Sequence, residues 1–208
     1  EMALDLQIKL DEFKNDENIR CILITGSGKA FCAGQDLSEA IDENGPGLKK
    51  IVEKHYNPII RKIRNIEKPI IAAVNGVAAG AGASIALCCD IVVAKKSAVF
   101  VQAFSKIGLI PDSAATFFLP RLVGLQKATG LMMTADPISA DDAYKIGMIY
   151  KVYEDNDFES EVLKLAEKLS QMPTKGLGLT KKLLNLSLTN DLDNQLNEEL
   201  NAQIIAGN

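Results

Sequence analysis

Residues 69–90, which read PIIAAVNGVAAGAGASIALCCD, constrain the fold more than any other stretch of the chain. The apolar run at residues 69–74 begins with proline, and it predicts a short strand buried on both faces. Asn75 and Gly76 break this run, and the segment that follows is built almost entirely of glycine and alanine. A second apolar run, residues 85–89, predicts that the chain continues as a buried helix.

A strand that enters a helix through such a turn leaves main-chain N–H groups pointing at whatever lies above the turn. This arrangement binds an anion or stabilises a developing oxyanion. Two other interpretations fit the same composition. Small residues also allow a helix and a strand to pack closely, with no ligand involved. A dinucleotide-binding loop is a further glycine turn of this kind, but residues 80–84 lack its third glycine, and no acidic residue ends a second strand at the expected distance.

Composition and charge narrow the class of protein. The 208 residues carry a net charge of -4 with acids and bases interspersed, so no basic face predicts binding to nucleic acid. No apolar run is long enough to cross a membrane, and the length fits one domain. The four cysteines lack metal-ligand spacing, which predicts no metal site and favours free thiols in a reducing, cytoplasmic setting. Because a helical pattern is already under way at Glu1, we expect further residues before it.

Strand and helix patterns alternate over the first two thirds of the chain, and mostly helical patterns follow Gly124. This order predicts an α/β fold with a core at residues 1–135 and a mainly helical region at residues 136–208. The individual predictions are a helix with a broad apolar face at residues 2–13, strands at 21–25, 91–93 and 98–101, a helix at 49–66, a capping box at 139–142, and a strand at 148–153.

Asp112 is a candidate for chemistry because of its surroundings. It lies between Pro111 and an alanine-rich helix start, where an acidic N-terminal cap is a common use of aspartate. A carboxyl group held among apolar neighbours would instead have a raised pKa and could exchange protons. The residues alone leave both interpretations open. The apolar neighbours are Ile107, Leu109, Ile110, Phe117 and Phe118.

Four segments together resemble the enoyl-CoA hydratase/isomerase family, also called the crotonase family. They occur in the family's order and spacing, and they are residues 30–37 (AFCAGQDL), 68–83 (KPIIAAVNGVAAGAGA), 89–94 (CDIVVA) and 108–112 (GLIPD). On its residues alone, the first segment is an ordinary glycine-centred loop. The resemblance implies an α/β spiral of repeated β-β-α units with a C-terminal helical region, and an enzyme that acts on acyl-CoA thioesters.

The resemblance also implies roles for individual residues. The main-chain N–H groups of Gln35 and Ala81 would hold the thioester oxygen and form an oxyanion hole. The family's contacts with the adenine of CoA map onto Ala33, Gln35, Asp36 and Leu37. CoA is then part of the substrate, and the resemblance implies no separate cofactor.

Departures from the family pattern bear on the reaction. The two glutamates with which the family's hydratases activate water correspond to Ser84 and Phe104, and neither can do acid–base work, so hydration is not expected. Asp112 takes the position at which the family's isomerases keep a carboxylate, which makes it the candidate acid and base. The family's dehalogenase shares this aspartate but needs Trp and His where this chain has Phe104 and Asn57. The single histidine, His55, is displaced by two positions.

The resemblance therefore implies an acyl-CoA isomerase with Asp112 as acid and base, most closely one that serves phenylacetate catabolism. A 3-enoyl to 2-enoyl isomerase of fatty-acid oxidation would need the same residues, and a non-catalytic CoA-binding member would use Asp112 only as a cap. Family members form homotrimers or homohexamers through their C-terminal helices. The leucine-rich helices predicted from residue 158 onward are an independent reason to expect association, and folding back over the chain's own core is the alternative.

Overall fold

A computed structural model describes residues 1–36 and 45–207 of the chain. Its strands are β1 (Ile22–Thr25), β2 (Ala30–Cys32), β3 (Ile70–Val74), β4 (Val77–Ala79), β5 (Ile91–Lys95), β6 (Val99–Val101), β7 (Ile138–Ser139) and β8 (Lys151–Tyr153). Its α-helices are α1 (Met2–Asn15), α2 (Gly47–Lys50), α3 (Asn57–Asn65), α4 (Ala81–Cys88), α5 (Ala115–Val123), α6 (Leu125–Thr134), α7 (Ala140–Lys145), α8 (Phe158–Gln171), α9 (Thr174–Leu186) and α10 (Leu192–Gly207). A π-helical segment, Ile51–Tyr56, joins α2 to α3, and a 3₁₀ helix spans Ala103–Ile107.

The strands form two four-stranded sheets, and β1 to β6 alternate between them. The first sheet has the order β1-β3-β5-β8 and is parallel throughout. The second has the order β2-β4-β6-β7, in which β7 runs antiparallel to β6. Helices return the chain from the second sheet to the first, so the path is a spiral of β-β-α units, and this confirms the predicted fold class. The last two strands come from the C-terminal part, and the division at residue 135 stays a prediction.

The stretch at residues 69–90 forms β3, β4 and α4 in the middle of this spiral. Ile71 of β3 pairs with Leu23 of β1 on one side and with Ile91 of β5 on the other. Successive β3 side chains enter two different apolar clusters, because strand side chains alternate between the faces of a sheet. Both faces are covered, and the predicted buried strand is confirmed. All of α4 is buried as well.

Two local predictions were too broad. The apolar face of α1 is narrower than the sequence indicates, since Leu10 is buried but Ile8 is 56% exposed. The strand expected at residues 148–153 is limited to β8, because Met148 instead closes a turn by donating its N–H to the carbonyl of Ala143. Met148 is nevertheless buried, so its apolar character serves packing and not a sheet. In the described ranges, no helix has the length and apolar character that crossing a membrane would require.

A charged cluster at the end of α4 attaches α9 to the core. Asp90 accepts hydrogen bonds on Oδ1 from Arg64 at 2.9 Å and on Oδ2 from the Ile70 N–H at 2.9 Å. Lys181 of α9 pairs with the same Oδ2 at 2.8 Å and is only 6% exposed. Burial lowers the pKa of Lys181, and the Asp90 carboxylate opposes that change. Asn185, one turn along α9, accepts a hydrogen bond from Arg64 Nε at 3.1 Å.

We expect Lys181→Met to destabilise the protein by about 3 kcal/mol, because it removes one partner of a buried ion pair and leaves Asp90 undercompensated. The neighbouring Lys182→Met is the matched control. Lys182 is exposed, and its replacement should change the free energy of unfolding by less than about 0.5 kcal/mol. Urea unfolding of both variants measures the difference. Equal midpoints would show that the Lys181 pair adds nothing to the attachment of α9.

Candidate active site

Two glycine-centred turns meet at the carboxyl ends of neighbouring strands. One turn follows β2 and contains Gly34, and the other follows β4 and contains Gly80. Gly34 has a φ of +94°, and a Cβ atom added to it would lie 3.1 Å from the carbonyl oxygen of Ala79 and 3.6 Å from the nitrogen of Ala81. Because β2 and β4 are parallel neighbours, both turns emerge at the same edge of the second sheet. The main chain around Gly34 therefore lies against the start of α4.

The contact is closest at Gly82, in the first turn of α4. A Cβ atom there would lie 2.2 Å from the carbonyl oxygen of Cys32, which is far inside van der Waals contact. The alanine and glycine composition of the turn is thus a packing requirement. The same packing places the helix start, with Ala81 as its first residue, beside the turn after β2. The first N–H groups of a helix have no partner within the helix, so the two predictions for this turn, close packing and an oxyanion site, are compatible.

The side chains around Gly80 are not acids. The Ser84 hydroxyl donates back to the carbonyl of Gly80 at 3.1 Å and is buried. Phe104, in the 3₁₀ helix, places its ring edge 3.8 Å from the position of a Cβ atom on Gly80. Gly80 itself is held by its N–H, which donates to the carbonyl of Val101 at 2.9 Å. Neither Ser84 nor Phe104 supplies an acid or a base beside this turn.

Asp112 does not cap a helix. Helix α5 begins after Ala114, and its N-terminus has no side-chain hydrogen bond, so the cap interpretation is wrong. Oδ1 of Asp112 instead accepts a hydrogen bond from the Ser113 hydroxyl at 2.9 Å. Burial raises the pKa of Asp112, as its apolar neighbours predicted, and the Ser113 hydroxyl opposes this rise by stabilising the ionised form. Since α5 packs against α4, this carboxyl group belongs to the same part of the molecule as the two turns.

The remaining predicted site residues follow the first turn. Ala33 and Asp36 are exposed, and Gln35 is partly buried, with its side-chain amide donating to the Asp36 carbonyl at 3.3 Å. Leu37 lies outside the described residues.

His55 is in the π-helical segment, where its carbonyl oxygen accepts a hydrogen bond from the Gln7 amide. In residues 1–36 and 45–207, no cluster of three or more His, Cys, Asp or Glu side chains could hold a metal ion.

Two features near the site were not predicted from the sequence. Ser113 contacts Asp112, and the one sequence signal for this contact is that the two are adjacent. Gln102 is 4% exposed, and its Oε1 has no hydrogen-bond partner in the described part of the chain. Its position, one residue after the Val101 carbonyl that holds Gly80, could be found only once β6 was placed beside β4.

Comparisons with known proteins show what the chain is similar to. The family model described as enoyl-CoA hydratase/isomerase matches residues 1–205. The 1,2-epoxyphenylacetyl-CoA isomerase of Escherichia coli (strain K12) is 47% identical over 210 residues, which cover 100% of this chain and 80% of that protein. The short-chain-enoyl-CoA hydratase of Clostridium acetobutylicum is 35% identical, with 92% of this chain and 74% of that protein covered. The crystal structure of an enoyl-CoA hydratase/isomerase from Cupriavidus metallidurans CH34 matches with a TM-score of 0.90 at 34% identity, covering 99% of this chain and 78% of that one.

We expect Gly82→Ala to destabilise the protein by about 1–3 kcal/mol, because the added methyl group would overlap the carbonyl of Cys32 and force the two turns apart. Gly130→Ala is the matched control, since Gly130 is also helical and a Cβ atom there meets nothing within 4 Å. The control should stabilise the protein by up to about 1 kcal/mol. Denaturant unfolding reports both changes. A Gly82→Ala variant as stable as the control would contradict the close approach.

Proposed function

The chain belongs to the enoyl-CoA hydratase/isomerase family, and we propose that it is an acyl-CoA isomerase that converts ring-1,2-epoxyphenylacetyl-CoA to its oxepin isomer in phenylacetate catabolism. The observation that carries the proposal is the partly buried Asp112 carboxyl group, whose pKa burial raises, just before the helix α5 that packs against α4. The E. coli isomerase, at 47% identity, supports this choice of substrate.

In the proposed mechanism, the main-chain N–H groups of Gln35 and Ala81 hold the thioester oxygen. Removing a proton next to a thioester places negative charge on that oxygen. Two fixed donors stabilise this charge without the reorganisation that water would need, and one such donor is typically worth roughly 3 kcal/mol. The thioester must approach the main chain closely to reach both donors, and the contact between Gly34 and the Ala79–Ala81 main chain supports such a site.

Asp112 acts as the acid and the base in this proposal. The substrate and the product of an isomerisation contain the same atoms, so the proton that leaves one carbon must be returned to another. One carboxylate between the two carbons can do both. Its raised pKa brings the proton affinity of the carboxylate closer to that of the reacting group, which favours transfer in both directions.

Hydration is the less favoured reaction for this site. A hydratase needs acid–base groups that hold and activate water. The corresponding positions carry the Phe104 ring and the Ser84 hydroxyl, which already donates a hydrogen bond to the Gly80 carbonyl.

Isomerisation needs no metal or redox cofactor, so CoA enters only as part of the substrate. We propose that the segment Ala33, Gln35, Asp36 and Leu37 contacts its adenine. All four cysteines are free thiols, which supports a cytoplasmic location.

We expect Asp112→Asn to lower kcat by about a hundredfold or more and to leave CoA binding nearly unchanged, because the side chains are almost isosteric and only the proton carrier is lost. Asp136→Asn, at an exposed aspartate, is the matched control and should keep full activity. The measurement is turnover of 1,2-epoxyphenylacetyl-CoA, together with exchange of the α-proton for deuterium. If Asp112→Asn kept more than about a tenth of the activity, Asp112 would not be the base.

The choice of substrate is tested by a panel. Faster turnover of 1,2-epoxyphenylacetyl-CoA than of 3-hexenoyl-CoA supports the proposal, and the reverse order favours a straight-chain 3-enoyl to 2-enoyl isomerase. No turnover and no α-proton exchange with either thioester would leave a non-catalytic CoA-binding protein.

We further propose that the chain works as a homotrimer or homohexamer. The support is an apolar stripe on α10, whose members are spaced four residues apart and so lie on one face of the helix. The stripe does not fold back over the chain, since Leu192 is 74% exposed. An uncovered apolar surface of this kind marks an interface. The stripe consists of Leu192, Leu196, Leu200 and Ile204.

Light scattering should therefore give a mass of several chains, against 22.5 kDa for one. Placing glutamate at both Leu196 and Leu200 should lower the mass toward that of a single chain, because two charges would have to be buried in the contact. Leu163→Glu, at an exposed leucine of α8, should leave the mass unchanged. A single-chain mass for the unmodified protein would refute the assembly.

A further inference from the structure

The turn that carries Asp112 is strained. Ser113 has a φ of +51° and Ala114 a φ of +61°, so two consecutive residues other than glycine adopt the left-handed conformation. Residues with a side chain rarely do so, and such a conformation persists only where the surrounding structure holds it in place. The Ala115 N–H closes this turn by donating to the Asp112 carbonyl at 3.0 Å. The strain therefore sits directly beside the proposed catalytic carboxylate.

In this strained conformation, the Ser113 side chain is buried and contacts the Asp112 carboxylate. Ser113 is 2% exposed, and its hydroxyl donates to Oδ1 of Asp112 at 2.9 Å. In the described part of the chain, Oδ2 of Asp112 accepts no hydrogen bond, so one carboxylate oxygen is held and the other is open. This is the geometry that a base needs, because a fixed rotamer presents a defined oxygen to the substrate.

We propose that Ser113 is a positioning residue for Asp112: its buried hydroxyl fixes the carboxylate rotamer and keeps the carboxyl group ionised for proton abstraction. This inference rests on the proposed function, in which Asp112 is the base. The proposal also explains the left-handed conformation of Ser113 and Ala114. A right-handed helical conformation at these residues would point the Ser113 side chain in another direction.

No neighbouring charge stabilises the ionised form of Asp112, so the Ser113 hydroxyl is the group that does so. The ionisable side chains of the neighbouring elements are the exposed Lys106 in the 3₁₀ helix, Arg121 in α5 and Lys127 in α6, together with the buried Cys88 in α4. None of them contributes to the shifted pKa of Asp112, which burial raises and the Ser113 hydroxyl lowers. Without the hydroxyl, burial would act unopposed and the carboxyl group would hold its proton to a higher pH.

The test is the pH profile of Ser113→Ala. We expect the acid limb of kcat/KM to move to higher pH, with a loss of about tenfold on that limb and little change in KM, because a hydrogen bond to a charged group is lost. Ala114→Gly is the control, since it keeps the hydroxyl and accepts the left-handed conformation. Its acid limb should coincide with that of the unmodified protein. Ser113→Gly removes the hydroxyl and relieves the strain, and it replaces Ser113→Ala should that variant not fold.

A titration without substrate separates this inference from the proposed function. In protein with ¹³C-labelled aspartate, the carboxyl resonance of Asp112 is identified by its absence from Asp112→Asn. It should titrate at higher pH in Ser113→Ala than in Ala114→Gly. An unchanged titration in Ser113→Ala would overturn the role of Ser113, even if Asp112→Asn is inactive. The shifted titration would support the hydrogen bond even if Asp112→Asn kept its turnover, in which case only the proposed function fails.

Discussion

The approach of the Cys32 carbonyl to Gly82 is the contact on which the proposed active site depends. It brings the end of β2 within van der Waals distance of the start of α4, and no residue larger than glycine fits at position 82 without displacing one of them. The spiral makes this contact reachable, because it places β2 and β4 side by side and parallel in one sheet. A site assembled from main-chain groups needs backbone held in this way, since no side chain is available to adjust its position.

The second constraint lies at the other end of α4. Asp90 follows this helix and ties together Arg64 from α3, Lys181 from α9 and the first N–H of β3. Separating this partly buried carboxylate from any of its three donors costs free energy. The C-terminal helices are thereby attached to the element that begins at the two turns. Their outward faces, by contrast, stay apolar and exposed, which makes them a natural place for association.

The sequence predicted those parts of the fold that local chemistry controls. The β3 run is apolar at every position because both sheet faces are covered. Gly76 and Gly82 are glycines because no other residue packs so closely, and Gly80 has a φ of +52°, which favours glycine. The capping box was also correct, since Ser139 accepts the Asp142 N–H at 3.1 Å. The predictions from the sequence failed where tertiary packing determines whether an apolar residue is buried and in which element it lies. Met148 is apolar because a turn buries it, and Ile8 is exposed although it is apolar. The resemblance to the family, and not periodicity, supplied the candidate roles of Gln35 and Ala81.

The Asp112 turn shows why part of the site could not be read from the sequence. An aspartate before an alanine-rich helix is typical of a cap, and the local pattern contains no glycine to indicate left-handed backbone. The structure adopts that backbone at Ser113 and Ala114, moves the helix start to Ala115 and gives the carboxylate a hydroxyl donor in place of helix N–H groups. Donation by several N–H groups would stabilise the ionised form strongly and make the carboxylate a weak base. One hydroxyl opposing burial leaves the pKa of Asp112 raised, and a raised pKa is what a group that must both accept and return a proton requires.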